Sequence, residues 1–165
     1  MSSELRFDVL VLGGGGAALR AALSACEQGA KTAILSKGEA GKSGATYYSV
    51  AEVGAFNVPD GALDPEDSPE EFYRDMEMAA LGTAQLPLCR ILAEQAESAL
   101  QYLEKISGGT VFAKEDGHFK VYQACFSTRP RAHVVENHFK PILRALREEV
   151  ARRDITVLSG LQAVD

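Results

Sequence analysis

The chain reads as an α/β protein of three layers, a parallel sheet between helices, interrupted by a helical and hairpin insertion. Three observations carry that reading. A short apolar run at residues 8–12 leads straight into four glycines and an alanine-rich helical stretch. A second apolar run follows at residues 31–35, about the spacing a crossover helix needs. Far down the chain an amphipathic helix at 139–153 delivers another strand at 155–158. Alternating strands and helices in this order build a parallel sheet.

Each element has a local reason. Residues 8–12 are apolar without alternation, as in a buried parallel strand. Gly13, Gly15 and Ala18 then fit G-x-G-x-x-[GA], the turn that brings a dinucleotide against a helix N-terminus. Gly13 makes the turn off the strand, Gly15 lets a pyrophosphate approach the backbone, and Ala18 keeps helix and sheet close. The helix runs from about Ala17 to Gln28, and the free N–H groups and positive dipole end of its start favour phosphate. Gly29 ends it in a left-handed cap.

The second strand ends in Ser36 and Lys37. An acidic residue there would accept from an NAD ribose; an uncharged or basic end suits FAD or NADP instead. Residues 36–43 nearly match the triphosphate loop G-x-x-x-x-G-K-[ST], but Ser36 stands at its first glycine and no helix start follows Ser43.

Composition excludes several classes. The 165 residues suffice for one domain with a real core. A net charge of −6 leaves no basic face for nucleic acid, which is not an expected partner. Cys26, Cys89 and Cys125 are odd in number, with no C-x-x-C, so a reducing cytoplasmic setting fits better than disulfides or zinc. The histidines lack metal spacing, and no metal is expected. No stretch reaches membrane-spanning length, and the first apolar run lacks a basic leader.

Ser43, Gly44, Ala45 and Thr46 close a glycine-rich loop that begins at Gly38. Glycine turn, Ser-Lys strand end and Ser-Gly-Ala-Thr loop, in that order, resemble the flavoprotein superfamily of succinate dehydrogenase, fumarate reductase and L-aspartate oxidase. The resemblance implies a Rossmann-like FAD-binding domain, a parallel sheet with helices on both faces. It implies FAD contacts from Gly13, Gly15, Gly16, Ala17, Ala18, Ser36, Lys37, Gly38, Ser43, Gly44, Ala45 and Thr46, and adenine pairing near Ala163. Respiratory members attach FAD through a histidine before the threonine. Ala45 stands there, which implies non-covalent FAD. The run 47–54 departs from the family pattern: Ala51 and Glu52 align only with two extra residues, and Val53 replaces a glycine.

Between the flavin loop and the late helix lies the insertion. Residues 56–67 read as a loop. Ser68, Pro69 and Glu71 form a helix start with a capping box, and Phe72, Met76, Ala79 and Ala80 form its inner face. A second helix begins near Pro87, with Leu88, Leu92, Ala96, Ala99 and Leu103 inward and Gly108 and Gly109 at its end. Residues 110–122 read as a hairpin turning at Asp116 and Gly117. Asp75, Glu77, Glu94 and Glu97 read as solvated. Residues 123–138 read as a loop holding Ser127, Thr128, Arg129, Arg131, His133 and His138. Its arginines suit a dicarboxylate or a flavin oxygen, or are plain surface charge; its histidines read as exposed. After 155–158, a further strand is expected from Leu161.

The expected organisation is a partial FAD-binding domain over 1–165, with a βαβ unit and flavin loop at 1–56, the insertion at 57–135, and a helix with return strands at 136–165. The resemblance implies a capping domain, absent from these residues, that carries the catalytic groups, so no catalytic residue is assigned. The implied activity is a flavin-dependent oxidoreductase acting on a small dicarboxylate, served by an electron-transfer subunit, with this chain alone inactive. The alternatives are an L-aspartate oxidase-like enzyme, an NADP-binding module or a cofactor-free truncated domain.

Overall fold

The structure, a computed structural model, describes residues 4–48 and 54–164. The chain divides into two compact units, residues 1–50 with 139–165, and residues 51–138. Along it run β1 (Val9–Leu12), α1 (Gly16–Glu27), β2 (Thr32–Ser36), β3 (Gly54–Asn57), α2 (Pro69–Ala80), α3 (Leu86–Ser107), β4 (Lys114–Glu115), β5 (His118–Phe119), β6 (Val121–Tyr122), β7 (Ala132–Val135), α4 (Lys140–Arg152) and β8 (Ile155–Ser159). The departure expected at Ala51, Glu52 and Val53 lies outside the described residues.

In the first unit β2 is the middle strand of a parallel sheet of order β1-β2-β8. Val9 sits beside Thr32, and Thr32 beside Ile155. The three strands read from the sequence are therefore adjacent and parallel. α1 lies on the sheet with Leu19, Ala22 and Leu23 fully buried. α4 packs against α1 and buries Ile142, Leu143, Leu146 and Val150, as its periodicity predicts. Each fully buried leucine contributes roughly 1.5–3 kcal/mol. Gly29, at φ +84°, ends the α1 turn.

Two expectations fail here. β1 is not buried on both faces: Val9 and Val11 are half-buried, while Leu10 and Leu12 are 50% and 61% exposed. Among the described residues, helices on both faces of the parallel sheet are thus not seen at this strand. The second correction concerns the strand expected from Leu161, which does not form. Gly160, at φ +76°, turns the chain, and the Leu161 N–H donates to the Ser36 carbonyl at 3.2 Å.

The second unit holds an antiparallel sheet of order β3-β7-β6 and the β4-β5 hairpin. The hairpin turns at Asp116 and Gly117, with φ of +50° and +83°, the pair of positive values that a two-residue turn requires. Phe56 and Asn57 are strand rather than loop, because they pair with His133 and Ala132. Likewise residues 132–135 are strand, not loop. Ser68 caps α2 by accepting from the Glu71 N–H at 3.3 Å, worth about 1 kcal/mol. Glu71 pairs with Arg74 at 2.7 Å.

α3 buries Ala93, Ala96, Leu100 and Leu103. The expected stripe included Leu88 and Leu92, which are 59% and 51% exposed. The stripe holds at Ala96 and Leu103, while Ala93 and Leu100 take the remaining buried places. Among the described residues, no helix is long and apolar enough to cross a membrane.

Candidate functional site

The site is built where β1 ends. The Gly13 N–H donates to the Leu35 carbonyl at 2.9 Å, so the turn begins tied to β2. Gly13 holds φ +121°, a conformation that only glycine takes without strain. Gly15 is the N-cap of α1 and brings no capping side chain. No acidic residue stands in the first turn of α1. The first N–H groups of a helix have no partner within it, and here neither cap nor carboxylate occupies them.

The loop after β2 folds onto this glycine run. The Gly41 N–H donates to the Gly14 carbonyl at 2.7 Å. A Cβ on Gly14 would stand 2.4 Å from Ser36 Oγ, 3.0 Å from Ser43 Oγ and 3.1 Å from the Ala40 Cα. A Cβ on Gly16 would stand 3.3 Å from Thr46 Oγ1. At Gly15 the neighbours are the Ser43 carbonyl oxygen at 3.5 Å and the Gly44 Cα at 3.7 Å. Gly44 in turn holds φ +82°, and a Cβ there would lie 3.2 Å from the Gly15 Cα. Two glycines thus meet backbone to backbone. Three hydroxyls, of Ser36, Ser43 and Thr46, gather beside the start of α1.

Of the residues singled out from the sequence, Gly13, Gly15, Gly16, Ser36, Ser43, Gly44 and Thr46 come together in this way. Ala18 lies against Gly13, with 3.9 Å from its Cβ to a Cβ built there. Gly38 lies against the Ser43 side chain, and Ala17, Lys37 and Ala45 are exposed. Ala163 is exposed in the segment that follows β8. Gly14 was missed: the fingerprint treats it as a spacer, yet it is the buried glycine of the turn. Its signal was present in the four-glycine run, since a spacer position needs no glycine. The triphosphate loop is excluded in structure too, because Tyr47 and Tyr48 N–H groups both bond back to the Gly44 carbonyl and form a turn rather than a helix.

The arginine segment of the second unit is a different object. Arg131 is buried, and each nitrogen of its guanidinium donates to a carboxylate: Nε to both Asp67 oxygens at 3.1 and 3.0 Å, Nη2 to Asp67 at 2.6 Å and Nη1 to Asp75 at 2.5 Å. Phe72 covers it, with 5.1 Å from the guanidinium carbon to the ring centre. Thr128 donates to the same Asp75 oxygen through its N–H at 2.9 Å and its hydroxyl at 3.0 Å. Arg129 pairs with Asp64 at 2.8 Å and Glu66 at 3.0 Å. Both arginines are thus paired with carboxylates of this unit, and Arg131 is not surface charge. Asp75 is not solvated either. Burial pushes its carboxyl up, but the Thr128 N–H, the Arg131 guanidinium and the Thr128 hydroxyl outweigh that and hold it below the usual carboxylate range. His133 is fully buried rather than exposed, between Asp60 at 3.0 Å and the Arg131 carbonyl at 3.1 Å.

The donor set at the glycine turn fits a diphosphate: helix N–H groups, hydroxyls and no competing carboxylate in the helix start. Comparison with known proteins gives the family. The sequence profile of the FAD binding domain family matches residues 8–165. A fumarate reductase (CoM/CoB) subunit of Methanothermobacter marburgensis is 35% identical over 169 residues, which cover 96% of this chain and 28% of that protein. The Mycobacterium smegmatis Sdh1 structure in complex with UQ1 superposes with a TM-score of 0.79 at 25% identity, over 93% of this chain and 27% of its own. The Rhodococcus jostii RHA1 3-ketosteroid-Δ4-(5α)-dehydrogenase, solved with 4-androstene-3,17-dione, shares the fold with a TM-score of 0.71 at 24% identity, over 94% of this chain and 38% of its own. The chain spans 28% of the length of the curated relative it matches.

Proposed function

The chain belongs to the FAD binding domain family, and from that premise we propose that it is the part of a flavin-dependent oxidoreductase that seats FAD without a covalent bond. The observation that carries this reading is the uncapped, acid-free start of α1 with the hydroxyls of Ser36, Ser43 and Thr46 gathered beside it. The N–H groups of that start and the hydroxyls hold the diphosphate. Gly14 and Gly44 let the loop close on the turn, and Lys37 stands exposed beside it to meet phosphate or ribose. Ala17, Ala18 and Gly38 complete the wall, and the backbone at Ala163 meets the adenine. Ala45, exposed and without a nucleophilic side chain, leaves the flavin unattached. FAD supplies hydride chemistry; these residues bind and orient it.

The domain reading goes with this. β8-β2-β1 is the order of the first half of a doubly wound sheet, whose crevice opens beyond the strand ends where β1 meets its next neighbour. A second cover over Leu10 and Leu12 then gives the sheet helices or strands on both faces. Residues 57–135 are an insertion, and the three free cysteines suit a reducing, cytoplasmic setting.

The whole protein acts on a small dicarboxylate, and its partner is an electron-transfer subunit. The support is the 35% identity to a fumarate reductase (CoM/CoB) subunit, not the arginines, which pair with carboxylates of the fold. The steroid dehydrogenase shares this fold, so groups outside these elements select the substrate. The test is a FAD titration of the chain followed by absorbance. A yellow protein whose flavin is released by acid precipitation is expected, with binding abolished by Gly15→Leu, whose branched side chain meets Ser43 and Gly44. A chain that stays colourless at saturating FAD refutes the assignment. Anaerobic reoxidation of the reduced full-length protein by fumarate tests the substrate class separately.

A further inference from the structure

The loop that closes on the glycine turn also walls a second cleft. It has a volume of about 530 Å3 and lies between Lys42 and Tyr47 on one side and Lys140, Arg144 and Arg147 of α4 on the other. Lys140, Arg144 and Arg147 are spaced i, i+4 and i+7, so like charges stand in one row on the helix. Such a row repels itself and weakens the helix that bears it. Lys42 faces the same space and adds to the repulsion. Compensation inside the protein is slight. Glu39 serves both Lys42, at 2.9 Å, and Arg147, at 3.8 Å. Glu148, which also lines the cleft, is shared with Arg152 at 3.7 Å. Among the described residues, no carboxylate stands within ion-pair distance of Lys140 or Arg144. In a chain of net charge −6, this gathering is out of keeping with the rest of the surface.

We infer that this cleft binds a compact multivalent anion, a polyphosphate or polycarboxylate small molecule, at a site separate from the FAD diphosphate seat. The volume suits a small ligand. The fork of Arg144 and the ammonium of Lys140 supply charge-assisted donors from one wall. Gly41, at φ +77°, has no Cβ where the Arg147 stem passes, so that arginine is held across the loop, toward the cleft. An anion between the two walls removes the repulsion that the free row carries.

The test is calorimetric titration of the chain, saturated with FAD, with tripolyphosphate and separately with citrate, at matched ionic strength. Saturable binding of one or both is expected; the stronger of the two identifies the ligand as phosphate or carboxylate. The double variant Lys140→Gln, Arg144→Gln weakens binding by about tenfold or more, while Arg74→Gln on α2 leaves it unchanged. The double variant, free of anion, also melts no lower than the parent and loses the rise in melting temperature that the anion gives. Binding by neither anion, equal binding by parent and double variant, or an equal loss from Arg74→Gln overturns the proposal.

Discussion

The glycine turn of the first unit and the arginine network of the second both look like ligand sites in sequence, and their valences separate them. At the start of α1 the donors are left open: no cap, no first-turn carboxylate, and hydroxyls turned toward the same place. Around Arg131 all three guanidinium nitrogens donate, to Asp67 and Asp75, under the ring of Phe72. A ligand needs unspent hydrogen-bonding capacity; a fold needs the reverse. Charge and residue type do not distinguish the two cases. The count of partners does.

The largest expected break in that contrast is Arg131→Ala. It leaves the buried Asp67 and Asp75 carboxylates without their cation, at a cost of about 3–5 kcal/mol. Urea unfolding measures the loss. FAD affinity, taken on the folded fraction, stays at the parent value; a fall would make Arg131 a ligand group after all. Next comes Gly14→Val, which pushes against Ser36, Ser43 and the Ala40 backbone. It displaces the loop from the turn, and FAD binding weakens by about 100-fold, or some 2.7 kcal/mol, as read by absorbance titration.

Asp75→Asn is expected to cost about 1–3 kcal/mol at neutral pH, because the Arg131 and Thr128 donors lose a charged acceptor. Its pH dependence sharpens the point. The folded carboxyl of Asp75 sits below its ordinary value, so the stability it gives is complete above the unfolded value, near 3.9, and is lost as pH falls through the folded one. The parent should lose stability on acidification below about pH 4 more steeply than Asp75→Asn does. Parallel acid-unfolding curves would remove Asp75 from the account. The smallest effect is Ser68→Ala, about 1 kcal/mol from the lost cap, measured by thermal melting.

Much of the first unit was legible in the sequence because its signals are local. An apolar run, a glycine turn and a periodic helix each announce themselves within a dozen residues, and the parallel neighbours β1, β2 and β8 follow from crossover logic. What escaped notice there was tertiary: the exposure of Leu10 and Leu12, and the role of Gly14, which depends on a loop some 25 residues onward. The second unit escaped more. Arg131 meets Asp67 and Asp75 across 64 and 56 residues of chain, and no periodicity carries that information. Asp75 shares the inner face of α2 with Phe72, yet its charge reads as solvated in sequence, and only its partners show why it turns inward. The α3 stripe departs at Leu88 and Leu92 for a related reason, since periodicity marks an apolar face but not how far along the helix packing covers it.

The bare side of β1 has a consequence for handling this chain at concentration. Among the described residues its sheet order leaves β1 at an edge, with Leu10 and Leu12 turned to water. An edge of that kind recruits strands, from a second molecule if no other is offered. Refolding yield should therefore fall as concentration rises, and light scattering should grow before any loss of helix signal. Leu10→Lys should suppress the scattering at little expense to the parallel pairing with β2, since the register there is held by the main chain.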